Sequence, residues 1–375
     1  MSPPDAAVQP PSKGAAVFLT HTRFMNMRTA IMTDLRRRND IDWLRVFAML
    51  IIFLFHCARF FNDEDWHVKN NVTDYGMSVF VAVLNQWIMP LFFMLSALGT
   101  WHALRRRTAG HFLRERVKRL MVPLFFGMLF IVSPQVYIER VSHGQFAGSF
   151  FDFMTRYFDG FYAFGGNFPW MGLHLWYLEV LFIFSLITLP LILMELIVGL
   201  DPGGVGRRDF GGWSLFTYLV FFILGYLTSS DERYRAGFAK YRLVSLAGAL
   251  IATTAGYFIL SSGFRSPIPL VFLRAFNSWF WLSAILGFGG RYLKTSNGFL
   301  AYANIAVLPF YILHQTVIVM VGYFIRDWSL AVMPKYLLLA IVSFALIMVL
   351  YEYVVRRFAV SRLLFGMKTE LGNTT

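Results

Sequence analysis

The sequence predicts an all-α, polytopic integral membrane bundle, and three observations predict it. The 375 residues are 57% hydrophobic and only 15% charged, where a soluble domain carries about 25% charged residues. Apolar runs of about 20 residues recur along the whole chain, the length a helix needs to cross a bilayer. The cations that give a net charge of +13 cluster between those runs. That is the pattern of cytoplasmic loops under the positive-inside rule rather than a nucleic-acid surface, so a nucleic-acid partner is excluded. The single cysteine, Cys57, excludes an internal disulfide, a CxxC motif and a thiolate metal cluster.

Residues 1–40 are Pro-rich and then basic, ending in Arg36-Arg37-Arg38. They read as a disordered cytoplasmic arm. Ala15 to Leu19 is too short for the apolar core of a signal peptide. Residues 41–357 read as one membrane domain with nine clear apolar segments, at about 43–61, 77–102, 118–138, 173–199, 213–229, 243–262, 270–289, 301–325 and 335–356. The stretch 149–168 is rich in Phe and Tyr but interrupted by Asp152, Arg156 and Asp159, which suits an interfacial or re-entrant segment. Residues 358–375 read as a basic cytoplasmic tail.

Loop charges orient the bundle. The basic arm places the N-terminus inside, and Asp63, Glu64, Asp65 and Asp74 place the first loop outside. Arg105, Arg106, Arg107, Arg114 and Arg116 place the second loop inside. From the other end, Arg356, Arg357, Arg362 and Lys368 put the C-terminus inside, and the loop carrying Arg233, Arg235, Lys240 and Arg242 follows suit. Nine full spans cannot leave both termini inside. A tenth, degenerate segment between about 173 and 213, where Pro190 interrupts the apolar run, restores the parity.

Four constellations stand out against this apolar background. Arg45 and His56 lie eleven residues apart on the first helix. Eleven steps of about 100° bring both side chains to nearly the same face, with a rise of about 16 Å between them. A polar group that deep is costly unless it faces protein or water, and an imidazole titrating near neutrality suits a general base. The plainer reading is a satisfied core histidine. Arg116 and Arg119, three residues apart at the mouth of the third segment, have the geometry of a phosphate clamp; alone, they are also ordinary positive-inside charge.

His174 and Glu179 enter the membrane together but lie about 140° apart on an ideal helix. His174 is a candidate for an external acceptor, and Glu179 needs a partner at its depth. Tyr311, His314 and Gln315 form a polar patch within one turn of another apolar helix, either interhelical hydrogen-bond glue or part of a site. Arg274 and Asn277 extend the set of buried polar candidates. No phosphate loop, HExxH or GxSxG motif is present.

Together these motifs resemble acyltransferase family 3. The resemblance rests on Arg45 with ten residues before His56, and on Arg116 with two residues before Arg119 ahead of Leu120 and Pro123. Its glucan-biosynthesis branch is suggested by Asp42-Trp43-Leu44-Arg45, Met89-Pro90-Leu91-Phe92, His174-Leu175-Trp176-Tyr177-Leu178 and Tyr311-Ile312-Leu313-His314-Gln315-Thr316. It covers about residues 40–357. Two departures are Ala97 after Ser96, where the branch commonly has Gly, and a stretch after Tyr177 that is shorter by about one helix and a loop.

The resemblance implies about ten membrane helices in the inner or plasma membrane. It also implies transfer of an acetyl or succinyl group from cytoplasmic acyl-CoA, a co-substrate rather than a bound cofactor, to a carbohydrate acceptor outside. His56 and Arg45 would then be catalytic, and Arg116, Arg119 and Arg45 would bind the donor phosphates. His174, Glu179, Tyr311 and His314 are candidates for the acceptor or the oxyanion, and no metal is expected. An extended pantetheine arm, on the order of 15–20 Å, is comparable with the rise from Arg45 to His56. Arg59 is a candidate for a succinyl carboxylate, against the plainer reading of a surface cation. The alternative function is a transporter or flippase for a sugar or organic anion, against which no inverted repeat is visible.

Overall fold

The computed structural model describes residues 38–104, 108–187, 215–230, 232–263 and 267–367. The expected basic arm up to residue 37, the expected degenerate segment around Pro190 and the last eight residues lie outside the described residues. Within them the regular structure is helical, joined by turns and loops; a single isolated bridge, Phe161 to Phe168, is the only β pairing among the described residues.

Six helices among the described residues are long and apolar enough to cross a membrane: Asn39–Arg59, Tyr75–Thr100, Gly110–Ser142, Glu232–Ser261, Gly298–Ile325 and Val332–Val355. They coincide with six of the nine expected segments. The fourth and fifth correspond to two shorter apolar helices, Leu173–Phe184 and Thr217–Ser229. The seventh is helical over Pro267–Tyr292.

The helices that position the site are α1 (Asn39–Arg59), α2 (Tyr75–Asn85) and α3 (Ile88–Leu104). The third span follows as α4 (Ala109–Arg116), α5 (Val122–Phe126) and α6 (Ser133–Ser142), joined by π-helical turns at Val117–Met121 and Gly127–Ile131. After α7 (Phe150–Met154) come α8 (Trp176–Ile187), α9 (Leu215–Ser230), α10 (Glu232–Ser261), α11 (Pro267–Tyr292), α12 (Gly298–Ile325) and α13 (Val332–Leu350). α9 packs on α3, α10 pairs with α11, and α12 lies between α13 and α6.

The two π-turns have a cause in the sequence. Proline has no N–H to offer the carbonyl four residues earlier. Pro123 therefore releases the carbonyl of Arg119, and Pro134 releases that of Phe130, each inside the π-turn that precedes the proline. Widened turns of this kind free backbone acceptors and recur at functional sites. Here the Tyr157 hydroxyl donates to Met128 O (2.5 Å) and the Thr316 hydroxyl to Ile131 O (2.9 Å). The second bond fastens α12 to the third span beside the polar patch.

The 149–168 stretch is the short helix α7, capped by a reciprocal Ser149–Asp152 pair, followed by turns. It leaves Phe151, Phe158, Phe161 and Phe164 exposed. The start of the expected tail is also ordered: α14 (Ala359–Leu364) precedes Phe365, whose ring meets Phe126 edge-on at 5.5 Å. At Gly366, in the left-handed region with φ +67°, a Cβ would lie 2.7 Å from Arg119 O, so only glycine fits there.

Candidate active site

α1 is an unbroken α-helix from Asn39 to Arg59, so the rise of about 16 Å from Arg45 to His56 holds. Two polar clusters form, one around each residue.

The first cluster is built on one face of α3. Arg45 donates to Asp42 Oδ1 (3.2 Å) on its own helix and to the Leu95 carbonyl (3.1 Å) on α3. The missing side chain of Gly99 makes this approach possible, since a Cβ there would lie 2.6 Å from the guanidinium. One turn on, Arg116 donates to the Thr100 hydroxyl (2.8 Å), and its guanidinium lies 4.9 Å from the Phe112 ring centre. The Thr100 hydroxyl in turn donates to Ser96 O (3.0 Å). Tyr177 on α8 donates to Phe92 O (3.1 Å), which leaves its phenol oxygen to accept from the Ser96 hydroxyl.

Arg116 and Arg119 do not share a face as the ideal-helix spacing predicts, because the π-turn begins between them at Val117. Arg116 turns inward onto Thr100. The Arg119 side chain stays 60% exposed beside Glu115 at 3.8 Å. Arg119 and Tyr177 both lie within electrostatic range of Arg45.

The second cluster gathers four of the chain's eight histidines. The His314 ring centre lies 5.0 Å from that of His56 and 5.4 Å from that of His174. The Tyr311 ring is 5.6 Å from His314 and 5.9 Å from Tyr177, which links the two clusters. Backbone carbonyls fix two tautomers. His174 Nε2–H donates to Ile312 O (3.0 Å), and His314 Nδ1–H donates to Tyr311 O (2.6 Å). The remaining nitrogens, His174 Nδ1 and His314 Nε2, are therefore lone-pair acceptors. Both are buried without a hydrogen-bond partner, as is His56 Nδ1. The Tyr311 hydroxyl donates to His174 O and so faces away from the histidine rings as a donor.

The fourth histidine, His67, arrives from the loop after α1. Its neighbour Trp66 stacks on His56, with ring centres 6.3 Å apart and planes at 19°. His67 Nδ1 pairs with the buried Glu139 carboxylate of α6, and Gln315 of α12 bonds the other ring nitrogen, Nε2 (3.0 Å). Tyr162 donates to both Glu139 oxygens (2.7 and 2.8 Å), and Arg140 lies 3.8 Å away. Lys69 ties the same loop to the end of α1 through Arg59 O (2.7 Å) and Asn62. Burial beside the Arg59 cation pushes its ammonium pKa down to about 8.

Sequence reasoning anticipated Arg45, His56, Arg116, Arg119, His174, Tyr311 and His314; the fold draws six of them into these two clusters and leaves Arg119 exposed at the edge of the first. Glu179 stands apart: its Oε2 is buried with no partner, and no contact among the described residues joins it to the histidine rings. Arg59 is engaged by Glu64 and the Asp65 carbonyl. Asn277 accepts from Thr253 of α10 (3.0 Å), as interhelical glue does. Sequence reasoning missed Trp66, His67 and Glu139. The two ends of the His67–Glu139 pair are 72 residues apart on a loop and a helix end, with no local spacing to mark them. No group of three or more His, Cys, Asp or Glu side chains among the described residues is arranged to hold a metal.

A bundle of apolar helices with two polar clusters strung along one of them is a multi-pass membrane protein with polar groups buried inside it. The chain belongs to acyltransferase family 3, whose acyltransferase domain matches residues 38–352. It is similar to the glucans biosynthesis protein C of Salmonella typhi and of Salmonella typhimurium, at 23% identity over 99 residues, 26% of each chain. It is also similar to the protein of that name from Escherichia coli, at 22% over 110 residues, 29% of each. These matches span between a quarter and a third of the curated relatives. No solved structure matches the chain.

Proposed function

We propose that this protein transfers an acyl group, acetyl or succinyl, from acyl-CoA on the cytoplasmic side to a carbohydrate hydroxyl on the other side of the membrane. The observation that carries the reading is the pairing on α1: cations at one end, and about 16 Å away a histidine whose ring nitrogen has no protein partner. The loop charges put the arginine end inside. Arg45, Arg116 and the exposed Arg119 hold the donor phosphates there, and the pantetheine arm runs along α1 toward His56. Guanidinium groups bind phosphate through paired, charge-assisted hydrogen bonds.

In the transfer step the acceptor O–H bond breaks and its proton passes to His56. The oxygen attacks the thioester carbonyl, the C–S bond breaks, and the CoA thiolate takes the proton back from His56. His314 and His174 carry unpartnered nitrogens in the same ring cluster and help to orient the hydroxyl. Both are poor oxyanion donors in the tautomers that their carbonyl bonds impose. Neither Tyr311, whose hydroxyl is spent on His174 O, nor Glu179 takes a role in this step. The donor stays inside, the acceptor stays outside, and only the acyl group crosses.

Purified protein in lipid nanodiscs, given radiolabelled succinyl-CoA or acetyl-CoA, should release CoA and label a polysaccharide added afterwards. Anion or sugar movement across vesicles without any CoA dependence would overturn the reading in favour of transport.

A further inference from the structure

The pair formed by His67 and Glu139 takes no part in the transfer step just described, yet it is built with unusual care. Glu139 is buried, pairs with His67, shares the one Tyr162 hydroxyl proton between its two oxygens, and has the Arg140 guanidinium 3.8 Å away. A carboxylate so fully engaged is not itself a ligand for anything. What it does is orient His67: Nδ1 faces the carboxylate, and Nε2 faces the Gln315 side-chain amide, whose N–H makes it the acceptor side. Among the described residues, that nitrogen is met by the side-chain amide of Gln315. Gln315 is adjacent to His314 in sequence, and His67 is adjacent to Trp66, which stacks on His56. His67 thus sits beside the proposed reacting centre, on the side away from Arg45, with an acceptor held ready in a fixed direction.

The surrounding polar atoms point to one ligand chemistry. Gln135 lies one turn before Glu139 on α6. Its amide oxygen shares the Thr316 hydroxyl (3.3 Å) with the Ile131 carbonyl, while its Nε2 is buried with no partner among the described residues. His174 Nδ1 and His314 Nε2 are buried acceptors with no partner. Each such orphan is costly until something satisfies it. A molecule that only accepts hydrogen bonds cannot satisfy the imidazoles, and one that only donates cannot satisfy Gln135. Hydroxyl groups do both, and several on one rigid ring do so at several points. The partly exposed Trp66 adds a flat apolar face with a polar edge, suited to one side of a sugar ring.

We propose that His67, positioned by Glu139, is a binding residue of the acceptor subsite for a polyhydroxylated ring. Gln315 acts as a placeholder whose N–H occupies His67 Nε2 until an acceptor hydroxyl replaces it. This rests on the acyl-transfer reading for its place in the reaction, but the subsite itself is tested by binding alone.

The test uses full-length protein in nanodiscs, with laminaripentaose as the carbohydrate probe and succinyl-CoA as the donor probe. His67→Ala should weaken laminaripentaose binding and raise the acceptor KM about tenfold or more, the worth of a buried hydrogen bond, with succinyl-CoA binding unchanged. Glu139→Gln should do the same to a lesser degree, and Glu139→Asp should recover part of the loss. Gln315→Met removes the placeholder and should leave the acceptor KM equal or lower, whereas a purely structural role predicts a rise. The proposal is overturned if wild-type protein does not bind laminaripentaose, or if His67→Ala lowers kcat with no change in acceptor KM. It also falls if Gln315→Met raises KM as much as His67→Ala does. Intact transfer by His56→Ala together with lost carbohydrate binding by His67→Ala would defeat the catalytic reading and leave this one standing.

Discussion

The arginine end and the histidine end of α1 solve opposite problems with the same kind of material. At the arginine end the inward cations are met by protein: Arg45 by Asp42 and the Leu95 carbonyl, Arg116 by Thr100. Each guanidinium has five donors in a fixed fork, and these bonds set the direction in which the groups point. At the histidine end one ring nitrogen each of His56, His174 and His314 is buried with no partner among the described residues, and for His174 and His314 a backbone carbonyl has already taken the other nitrogen. A buried polar group without a partner is kept only where something pays for it, and function is the usual reason. On the proposed reading the difference separates holding from reacting: fixed charge at one end, spare lone pairs at the other.

Removing the reactive lone pair should have the largest effect. His56→Ala is expected to cut acyl transfer by roughly 10²–10⁴, the usual worth of a general base, while succinyl-CoA still binds. Full transfer by well-folded His56→Ala would break the division at its reactive end. At the holding end, Arg116→Ala combined with Arg119→Ala should raise the donor KM by about 10–100-fold through lost charge-assisted bonds, with kcat nearly unchanged. An unchanged donor KM would mean that the arginines serve topology alone. Gly99→Ala is a finer probe: the new methyl would sit 2.6 Å from the Arg45 guanidinium, whose flexible stem can yield. A donor KM higher by about two- to fivefold is expected from the re-aimed hydrogen bonds, and no change would show that the aim of Arg45 is not critical.

How much of this could be read in the sequence follows from the range of each interaction. The spans and the Arg45–His56 stripe were legible because helical periodicity is local: eleven residues on one helix fix their own geometry. The pairing of Arg116 with Arg119 was misread in detail. Two prolines four residues downstream of a carbonyl convert the turns between into π-turns, and the ideal-helix angle then no longer applies. Tyr311, His314 and Gln315 were visible as a polar patch, but the patch could not reveal that Tyr311 donates away from the histidines while Gln315 reaches His67. His67 and Glu139 were invisible because a loop and a helix end meet only through tertiary packing.

The smallest effect tests whether the histidine end alone carries a pH-sensitive tether. Lys69 holds the Trp66–His67 loop to the end of α1, and its ammonium has a pKa near 8 rather than about 10.5. The folded state therefore holds this proton more weakly than the unfolded chain does. Between about pH 8 and pH 10.5 the unfolded chain binds more protons, so the Lys69 contribution makes stability rise with pH across that window. Below pH 8 the cost of burying the charge is fully present. The site is partly open to solvent, and screening reduces the effect, so the expected difference in melting temperature is about 1–2 °C. Lys69→Met, which keeps the length and loses the charge, should flatten that rise when thermal melts at pH 7.5 and pH 10 are compared with wild type. Equal slopes in the two proteins would mean that the tether does not titrate there, and the contrast between the two ends would then rest on the unpartnered histidines alone.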